Sequence, residues 1–116
     1  TPDGTAIRDY IHVSDLCNII LLVIPKILKK RISKIFNCGY GKGYSILQVV
    51  DSMNSILKEK IPILYVNRRE KDIEVSISNT KKFHKHIQWK PKYNNLKFIL
   101  RSSYEWEKKI NYRKKV

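Results

Sequence analysis

The chain has 116 residues and a hydrophobic content of 42%, which suits one modest domain with a core and excludes gross disorder. It carries 24 Lys+Arg against 10 Asp+Glu, a formal net charge of +14, which raises the question of a nucleic-acid or anionic-membrane partner. The basic residues are spread along the chain, and aromatic residues are not interleaved with them in a stacking pattern. We therefore expect no nucleic-acid partner.

The cysteine, histidine and apolar patterns argue against several other classes. Cys17 and Cys38 are widely separated in apolar surroundings, which predicts buried thiols in a reducing compartment. His84 and His86 have no third plausible ligand nearby, so we predict no metal site. The apolar run over residues 16–28 is interrupted and falls short of the ~18 residues that a membrane span needs. With no secretory segment in the sequence, we expect a cytoplasmic protein without membrane contact.

The first predicted elements are a strand and a helix. Residues 6–13 alternate as a strand does, and residues 14–30 have the apolar content of a packed helix. Ser14 is predicted to be the helix N-cap, and Asp15 is favourably placed in the first turn. Pro25 removes one helix hydrogen bond, so we expect it to kink or end this helix.

A glycine-rich turn separates the next strand and helix. Residues 33–38 are predicted as a short strand, and Ser45 as the N-cap of a helix over residues 46–58. Between them, Gly39–Gly43 form a G-x-G-x-G pattern, whereas a dinucleotide fingerprint needs G-x-G-x-x-G and an acidic residue about 20 positions on. We therefore predict a tight turn in which at least one glycine has positive φ.

The rest of the chain completes an α/β pattern. Residues 62–66 are predicted as an apolar strand, and residues 80–86 as a short helix capped by Ser78 or Asn79. Residues 95–109 are predicted as the last helix. The resulting order, β-α-β-α-β-α-α, indicates a small mixed α/β unit.

Three charged side chains have the chemistry that a sugar nucleotide requires. Arg8 has a planar set of donors that matches phosphate oxygens, and Arg69 and Asp72 lie in a charged loop after a predicted strand. Two cations suit a diphosphate, and a carboxylate suits hydroxyl groups. On the residues alone, a surface arginine and a solvated charged turn are equally open interpretations.

Several motifs resemble, in order and spacing, those of a known family. The run Arg-Asp-Tyr-Ile-His-Val-Ser-Asp-Leu over residues 8–16 is similar to a signature near the start of the C-terminal substrate domain of UDP-glucose 4-epimerases. These enzymes are extended short-chain dehydrogenase/reductases that act on nucleotide sugars. Further matching segments follow in the same order, so that the resemblance extends along nearly the whole chain. They are residues 37–45, 67–72, 81, 89–91 and 106.

This resemblance implies a fold and a set of substrate contacts. Residues 1–110 would form the UDP-sugar-binding lobe, a small mixed α/β unit lacking most of the Rossmann lobe, and residues 111–116 a basic, disordered tail. Arg8 and Arg69 would hold the UDP phosphates, and Asp72 would accept hydrogen bonds from the ribose.

Two neighbouring positions refine that expectation. Lys71 stands where the family usually has a glycine, so the turn before Asp72 gains a Cβ. Ser76 aligns with a position where glucose-restricted epimerases carry a bulky tyrosine. The resemblance therefore implies room for N-acetylated UDP-sugars, although a serine that merely lies in an edge strand is the alternative.

The resemblance also implies chemistry whose residues are not found here. Enzymes of this family oxidise the sugar C4 hydroxyl with bound NAD and return the hydride to the other face, using a Tyr-x-x-x-Lys pair. Tyr104 and Lys108 have this spacing by chance, inside the last predicted helix. We therefore predict no catalytic, cofactor-binding or metal-binding residues, and a C-terminal epimerase fragment that is inactive alone.

The implied partner is a UDP-sugar. The chain is expected to be a fragment or the product of a broken gene, and the alternative is a separately encoded N-terminal Rossmann portion that would bind NAD and dock on an exposed apolar face. Three alternatives for the function stay open: another nucleotide-sugar epimerase or dehydratase of the same family, a basic nucleic-acid-binding module, and a structural or regulatory remnant without affinity for UDP-sugars.

Overall fold

A computed structural model describes residues 3–30, 33–67 and 70–113 as a small mixed α/β unit, which confirms the predicted fold class. Its three-stranded sheet has the order β2-β1-β3, with β1 antiparallel to β2 and parallel to β3. The elements follow one another in the predicted order: β1 (Ile7–Asp9), α1 (Val13–Lys30), β2 (Gly43–Ser45), α2 (Ile46–Leu57), β3 (Val75–Ser76), α3 (Lys81–His86) and α4 (Leu96–Arg113).

Helix α2 begins where local chemistry predicts. The Ser45 hydroxyl accepts from the Gln48 amide at 3.1 Å, and the Gln48 side chain accepts from the Ser45 amide at 2.8 Å. This capping box satisfies two amides that the helix itself leaves unpaired. Lys58 ends the helix in the left-handed region, with φ of 59°. The prediction that Ser45 is an N-cap is confirmed.

Helix α1 begins one residue earlier than predicted, so the assignment of Ser14 as N-cap is wrong. His12 precedes the first helical residue, and its Nδ1 accepts from the Ser14 amide at 3.1 Å. The imidazole therefore does what the Ser14 hydroxyl was expected to do. This role needs no special residue type beyond a side-chain acceptor at the correct distance.

Pro25 lies inside α1, and the helix continues to Lys30, so Pro25 does not end the helix. A proline in a helix removes the hydrogen bond to the carbonyl four residues earlier. That carbonyl belongs to Leu21, whose side chain is 69% exposed, so water can replace the missing donor on this side of the helix.

Two of the three predicted strands are misplaced. The segments over residues 33–38 and 62–66 have no regular structure, and the sheet instead uses β2 and β3. Within the described residues no strand pairs with either segment, and Ile35 and Leu64 are 81% and 84% exposed. The apolar, β-branched composition of these segments indicates only that their side chains can be buried. A β-strand also requires a neighbouring strand for its backbone hydrogen bonds.

The described core is small. Ile19, Phe83, Ile87 and Trp89 are buried together, where α1 meets α3 and the chain that follows it. The chain exposes 9457 Å², compared with about 6,600 Å² expected for a compact protein of this mass. Its radius of gyration of 17.3 Å likewise exceeds the ~13 Å expected for its length. Much apolar surface is therefore left uncovered by the chain itself.

Three further expectations bear on the surface. Cys17 is exposed, so the prediction that it is buried is wrong, while Cys38 is half-buried and its pKa is raised by that burial. Helix α4 includes residues 111–113, the first part of the expected tail, and residues 114–116 lie outside the described part. None of the helices in the described ranges is both long and apolar enough to cross a membrane.

Candidate functional site

The parallel pairing of β1 with β3 assembles the candidate site from two distant parts of the sequence. Arg8 of β1 is the register partner of Ser76 of β3. The Ile7 amide donates to the Glu74 carbonyl at 2.8 Å. The pairing with β1 therefore extends beyond β3 into the loop that precedes β3. Asp72 therefore arrives beside Arg8 because the chain enters β3 from this loop.

The Arg8 guanidinium lies within a set of oxygen atoms. Its Nη2 contacts Asp72 Oδ1 at 2.9 Å, and its Nη1 contacts the carbonyl oxygens of Ile7 at 2.8 Å and Glu74 at 3.4 Å. The Arg8 and Asp72 side chains are 29% and 27% exposed. The pair is thus oriented by the backbone and still open to a solute from the surface.

The backbone before Asp72 adopts the conformation that a glycine would favour. Lys71 has φ of +61°, in the left-handed region. A side chain at such a position costs about 1 kcal/mol relative to glycine. The added Cβ therefore leaves the turn in place at a cost in stability, and Asp72 still contacts Arg8.

The predicted site residues are brought together in part. Arg8, Asp72 and Ser76 lie on neighbouring backbone segments, and the Ser76 side chain is exposed. Arg69, and Arg68 beside it, lie outside the described residues. The first three residues therefore lie near one another, and their roles as substrate contacts stay predictions.

A carboxylate that the sequence analysis did not single out holds the glycine turn beside β1. Asp9 accepts from the amides of Tyr40 at 3.1 Å, Gly41 at 2.9 Å and Ser78 at 3.3 Å. Gly41 has φ of +66°, which confirms the predicted positive φ in this turn. A Cβ at Gly39 would lie 2.5 Å from the Asp9 carboxylate, so the turn needs glycine there for close approach as well.

A second buried carboxylate organises the other side of α1. Asp15 is 1% exposed and accepts from the Tyr40 hydroxyl at 2.6 Å and from the amides of Lys92 at 3.1 Å and Tyr93 at 2.9 Å. Burial alone would raise the pKa of Asp15, but these hydrogen bonds outweigh it and lower the pKa below its usual value. The same burial and the bond to Asp15 raise the pKa of Tyr40 to about 12.

His12 is a packed histidine, as its position between a strand and a helix indicates. Because Nδ1 accepts from the Ser14 amide, the ring proton lies on Nε2, which is 3.0 Å from the Ser102 hydroxyl. Ser102 in turn donates to the carbonyl of Ile99 at 2.8 Å. All these groups are used within the fold, and the imidazole joins the start of α1 to α4.

The glycine turn does not suit a dinucleotide phosphate. In a phosphate-binding turn, free amides face the ligand. Here the amides of Tyr40 and Gly41 face the carboxylate of Asp9, which repels an anion from the same position.

Among the described residues, no group of three histidine, cysteine or acidic side chains could hold a metal ion.

The sequence and the fold of this chain are similar to one part of known nucleotide-sugar enzymes. A family model described as "NAD dependent epimerase/dehydratase family" matches residues 1–39. Over most of its length, the chain is homologous to the C-terminal portion of UDP-glucose 4-epimerases.

Two curated relatives illustrate this homology. The UDP-glucose 4-epimerase of Azospirillum brasilense is 36% identical over 95% of this chain and 32% of its own length. The enzyme of the same name from Streptococcus mutans is 33% identical over 91% of this chain and 32% of its own. The chain therefore spans about a third of the length of the curated relatives that it matches.

Solved structures agree with this assignment. The UDP-glucose 4-epimerase of Stenotrophomonas maltophila, with bound NAD and formylated UDP-arabinopyranose, superposes with a TM-score of 0.84 at 29% identity, over 97% of this chain and 33% of that one. The UDP-Glc/GlcNAc 4-epimerase of Campylobacter jejuni gives a TM-score of 0.79 at 38% identity, over 94% and 33%. The fold is thus that of the matched third of these enzymes.

Proposed function

We propose that this chain is the C-terminal, UDP-sugar-binding portion of a UDP-glucose 4-epimerase, which interconverts UDP-glucose and UDP-galactose. The observation that carries the proposal is the oriented contact between Arg8 and Asp72, 64 residues apart in sequence, beside the exposed Ser76. The homology over 95% of the chain supports it.

In this proposal the Arg8 guanidinium binds the diphosphate. A planar cation donates two parallel hydrogen bonds to phosphate oxygens, and its anchoring to the carbonyl of Ile7 reduces the entropy lost on binding. Asp72 orients the guanidinium through one oxygen and accepts from the ribose hydroxyls of the substrate. Arg69 supplies the second cation for the diphosphate.

NAD would be held by parts of the enzyme outside this chain. When bound, it supplies hydride exchange at the sugar C4 carbon. The glycine turn offers no anion site because Asp9 already accepts from its amides, and this supports a cofactor site elsewhere in the whole enzyme. We therefore assign no step of the hydride chemistry to this chain, and we propose that the chain alone is inactive.

In this proposal, the N-terminal portion of the enzyme would cover the exposed apolar face of α1. The exposed apolar side chains of this helix include Ile20, Leu21, Ile24 and Leu28, at 46% to 70% exposure. The adjacent segment over residues 33–38 has the composition of a strand but no partner strand among the described residues. An N-terminal Rossmann portion, encoded separately or on the same chain, would supply both a covering surface and that partner strand. We place the enzyme in the cytoplasm, because reducing conditions there suit the free thiols of Cys17 and Cys38.

A chimeric enzyme tests this function. The first two thirds of the Campylobacter jejuni relative would be fused to this chain and supplied with UDP-galactose and NAD. We expect UDP-glucose from the chimera and none from this chain alone. The Arg8→Gln chimera should lose tenfold or more in kcat/KM, while the matched Arg101→Gln chimera should keep its activity. Turnover by the chain alone, or equal loss in both variants, would contradict the proposal.

Ser76 would set the range of sugars. A serine at this exposed edge leaves space beside the sugar that a tyrosine would fill, and the Campylobacter jejuni relative is named for both UDP-Glc and UDP-GlcNAc. In the chimera, Ser76→Tyr should lower turnover of UDP-N-acetylglucosamine at least tenfold, because the ring would occupy the N-acetyl space. UDP-glucose turnover serves as the control and should change little. Equal turnover of the N-acetylated substrate by both forms would disprove this role.

A further inference from the structure

A cleft at the start of α4 combines cations with an aromatic surface, far in sequence from the Arg8–Asp72 site. It has a volume of about 470 Å³ and is lined by Lys92, Tyr93, Asn95, Lys97, Phe98 and Arg101. None of its six lining residues is acidic. The sequence does not show this arrangement as alternating aromatic and basic residues, because the residues come from a loop and from one face of a helix.

The aromatic part of the cleft is a stacked pair that is partly exposed. The rings of Tyr93 and Phe98 are nearly parallel, with centroids 5.1 Å apart and an interplanar angle of 9°. The ring of the buried His12 packs against both, at 4.7 Å and 5.3 Å. Phe98 is nonetheless 47% exposed. An aromatic side chain with this exposure can contact a planar ligand from solvent.

Three cationic residues line the same cleft as this aromatic pair. Lys97 and Arg101 are four residues apart on α4 and so lie on one stripe of the helix, while Lys92 approaches from the preceding loop. The Lys97 ammonium contacts the Ser55 hydroxyl at 3.3 Å. The acid one turn further along, Glu105, contacts Lys108 instead. Within the described residues, these three cations have no carboxylate partner.

Hydrogen bonds from side chains hold the backbone of the cleft in place. The buried Asp15 binds the amides of Lys92 and Tyr93, and the Asn95 side chain caps α4 by accepting from the Phe98 amide at 3.0 Å. A surface held in this way loses little conformational entropy when a ligand binds. Pre-organised aromatic rings and cations are the features that bind single-stranded nucleic acids.

We propose that this cleft binds single-stranded nucleic acid, with a base stacked on Phe98 and backbone phosphates on Lys92, Lys97 and Arg101. The formal net charge of +14 attracts a polyanion to the whole chain, and the cleft gives that attraction a defined place. This function is independent of the sugar-nucleotide site, because it uses none of that site's residues.

Fluorescence anisotropy of a labelled oligothymidine or oligouridine of about 12 nucleotides tests the proposal on the full chain. Lys97→Gln combined with Arg101→Gln should weaken binding at least fivefold and reduce the slope of log K against log salt by about 1.4. The matched control, Lys85→Gln with Lys109→Gln, removes the same charge from exposed positions elsewhere and should change affinity less than twofold.

The aromatic requirement is tested separately. Phe98→Leu keeps an apolar side chain without a ring and should weaken binding about fivefold or more, whereas Phe98→Tyr should retain it. Equal weakening by the control pair would indicate diffuse electrostatic attraction and overturn the proposal, as would unchanged binding by the leucine variant. Weaker binding in Arg8→Gln, with binding unchanged in the variant that combines Lys97→Gln and Arg101→Gln, would assign the strand to the sugar-nucleotide site instead and would also overturn the proposal.

Discussion

The two faces of α1 differ in a way that polarity alone would not suggest. On one face, the carboxylate of Asp15 is 1% exposed and Ile19 is 2% exposed, and Val23 packs against the same core. On the opposite face, Leu21 and Leu28 are 69% and 70% exposed. A charged side chain is therefore more buried than two leucines. Burial here follows the partners that the chain can supply, and among the described residues they lie against the first face.

The largest effect is expected where the buried carboxylate is removed. Asp15→Ala leaves the Tyr40 hydroxyl and two backbone amides without their acceptor, so unfolding free energy should fall by about 3 kcal/mol. Urea unfolding followed by circular dichroism measures this loss. Asp51→Ala, which removes an exposed carboxylate from α2, is the control and should change stability by less than about 0.5 kcal/mol. Similar losses in both variants would mean that Asp15 does not organise the fold.

The same network predicts opposite pH limits for its two members. Because the folded pKa of Asp15 is lowered, its contribution to stability is complete above the unfolded pKa near 4 and is lost as pH falls below it. Because the folded pKa of Tyr40 is raised to about 12, its contribution is complete below the unfolded pKa near 10 and is lost as pH rises from there.

The alkaline limit can be isolated with one substitution. Tyr40→Phe should lower stability at neutral pH by about 1 to 2 kcal/mol, through loss of the hydrogen bond to Asp15. The difference between wild type and variant should shrink as pH is raised from 10 to 12 in thermal unfolding experiments. A difference that stays constant over this range would show that the Tyr40 hydroxyl is not buried against Asp15.

A smaller effect is expected at the loop that positions Asp72. Lys71→Gly should stabilise the chain by up to about 1 kcal/mol, because glycine adopts positive φ without a steric cost. Urea unfolding again gives the value. Lys71→Ala is the matched control, since it keeps the Cβ and should gain little. Destabilisation by glycine would indicate that this residue does not have a left-handed conformation.

The smallest effect is expected on the exposed face of α1. Leu21→Gln and Leu28→Gln should change the stability of the isolated chain by less than about 0.5 kcal/mol, because neither leucine is packed. Ile19→Ala on the buried face should cost about 2 to 4 kcal/mol. A comparable loss at Leu21 or Leu28 would remove the contrast between the two faces of the helix.

How far the sequence predicts this molecule depends on the range of the interactions involved. The Ser45 cap was predictable because its partner Gln48 lies three residues away. The acceptor roles of Asp9 and Asp15 were not, because their partners lie 25 to 78 residues away and, apart from the Tyr40 hydroxyl, are backbone amides, which every sequence contains. The pairing of β1 with β3 is similarly long-range.

The candidate site likewise combines features that the sequence predicts with long-range contacts that it does not. Arg8 and Asp72 could be grouped because their residue types suit a phosphate and a hydroxyl, and because the surrounding motifs resemble one family. The geometry that joins them depends on a two-residue strand, Val75–Ser76, which is too short to leave a periodic signal. The aromatic and cationic cleft on α4 was missed because its parts come from a loop and a helix face that no local pattern connects.

Titration of UDP into this chain, followed by phosphorus NMR, tests the central claim most directly. We predict that both diphosphate resonances shift on binding to the wild type, and that Arg8→Gln weakens binding at least tenfold, because the loss of a charge-assisted bond costs about 1.5 to 3 kcal/mol. Lys85→Gln, which removes an exposed cation from α3 outside both proposed sites, should leave the titration unchanged. Diphosphate shifts of the same size and affinity in the Arg8→Gln variant would contradict the account.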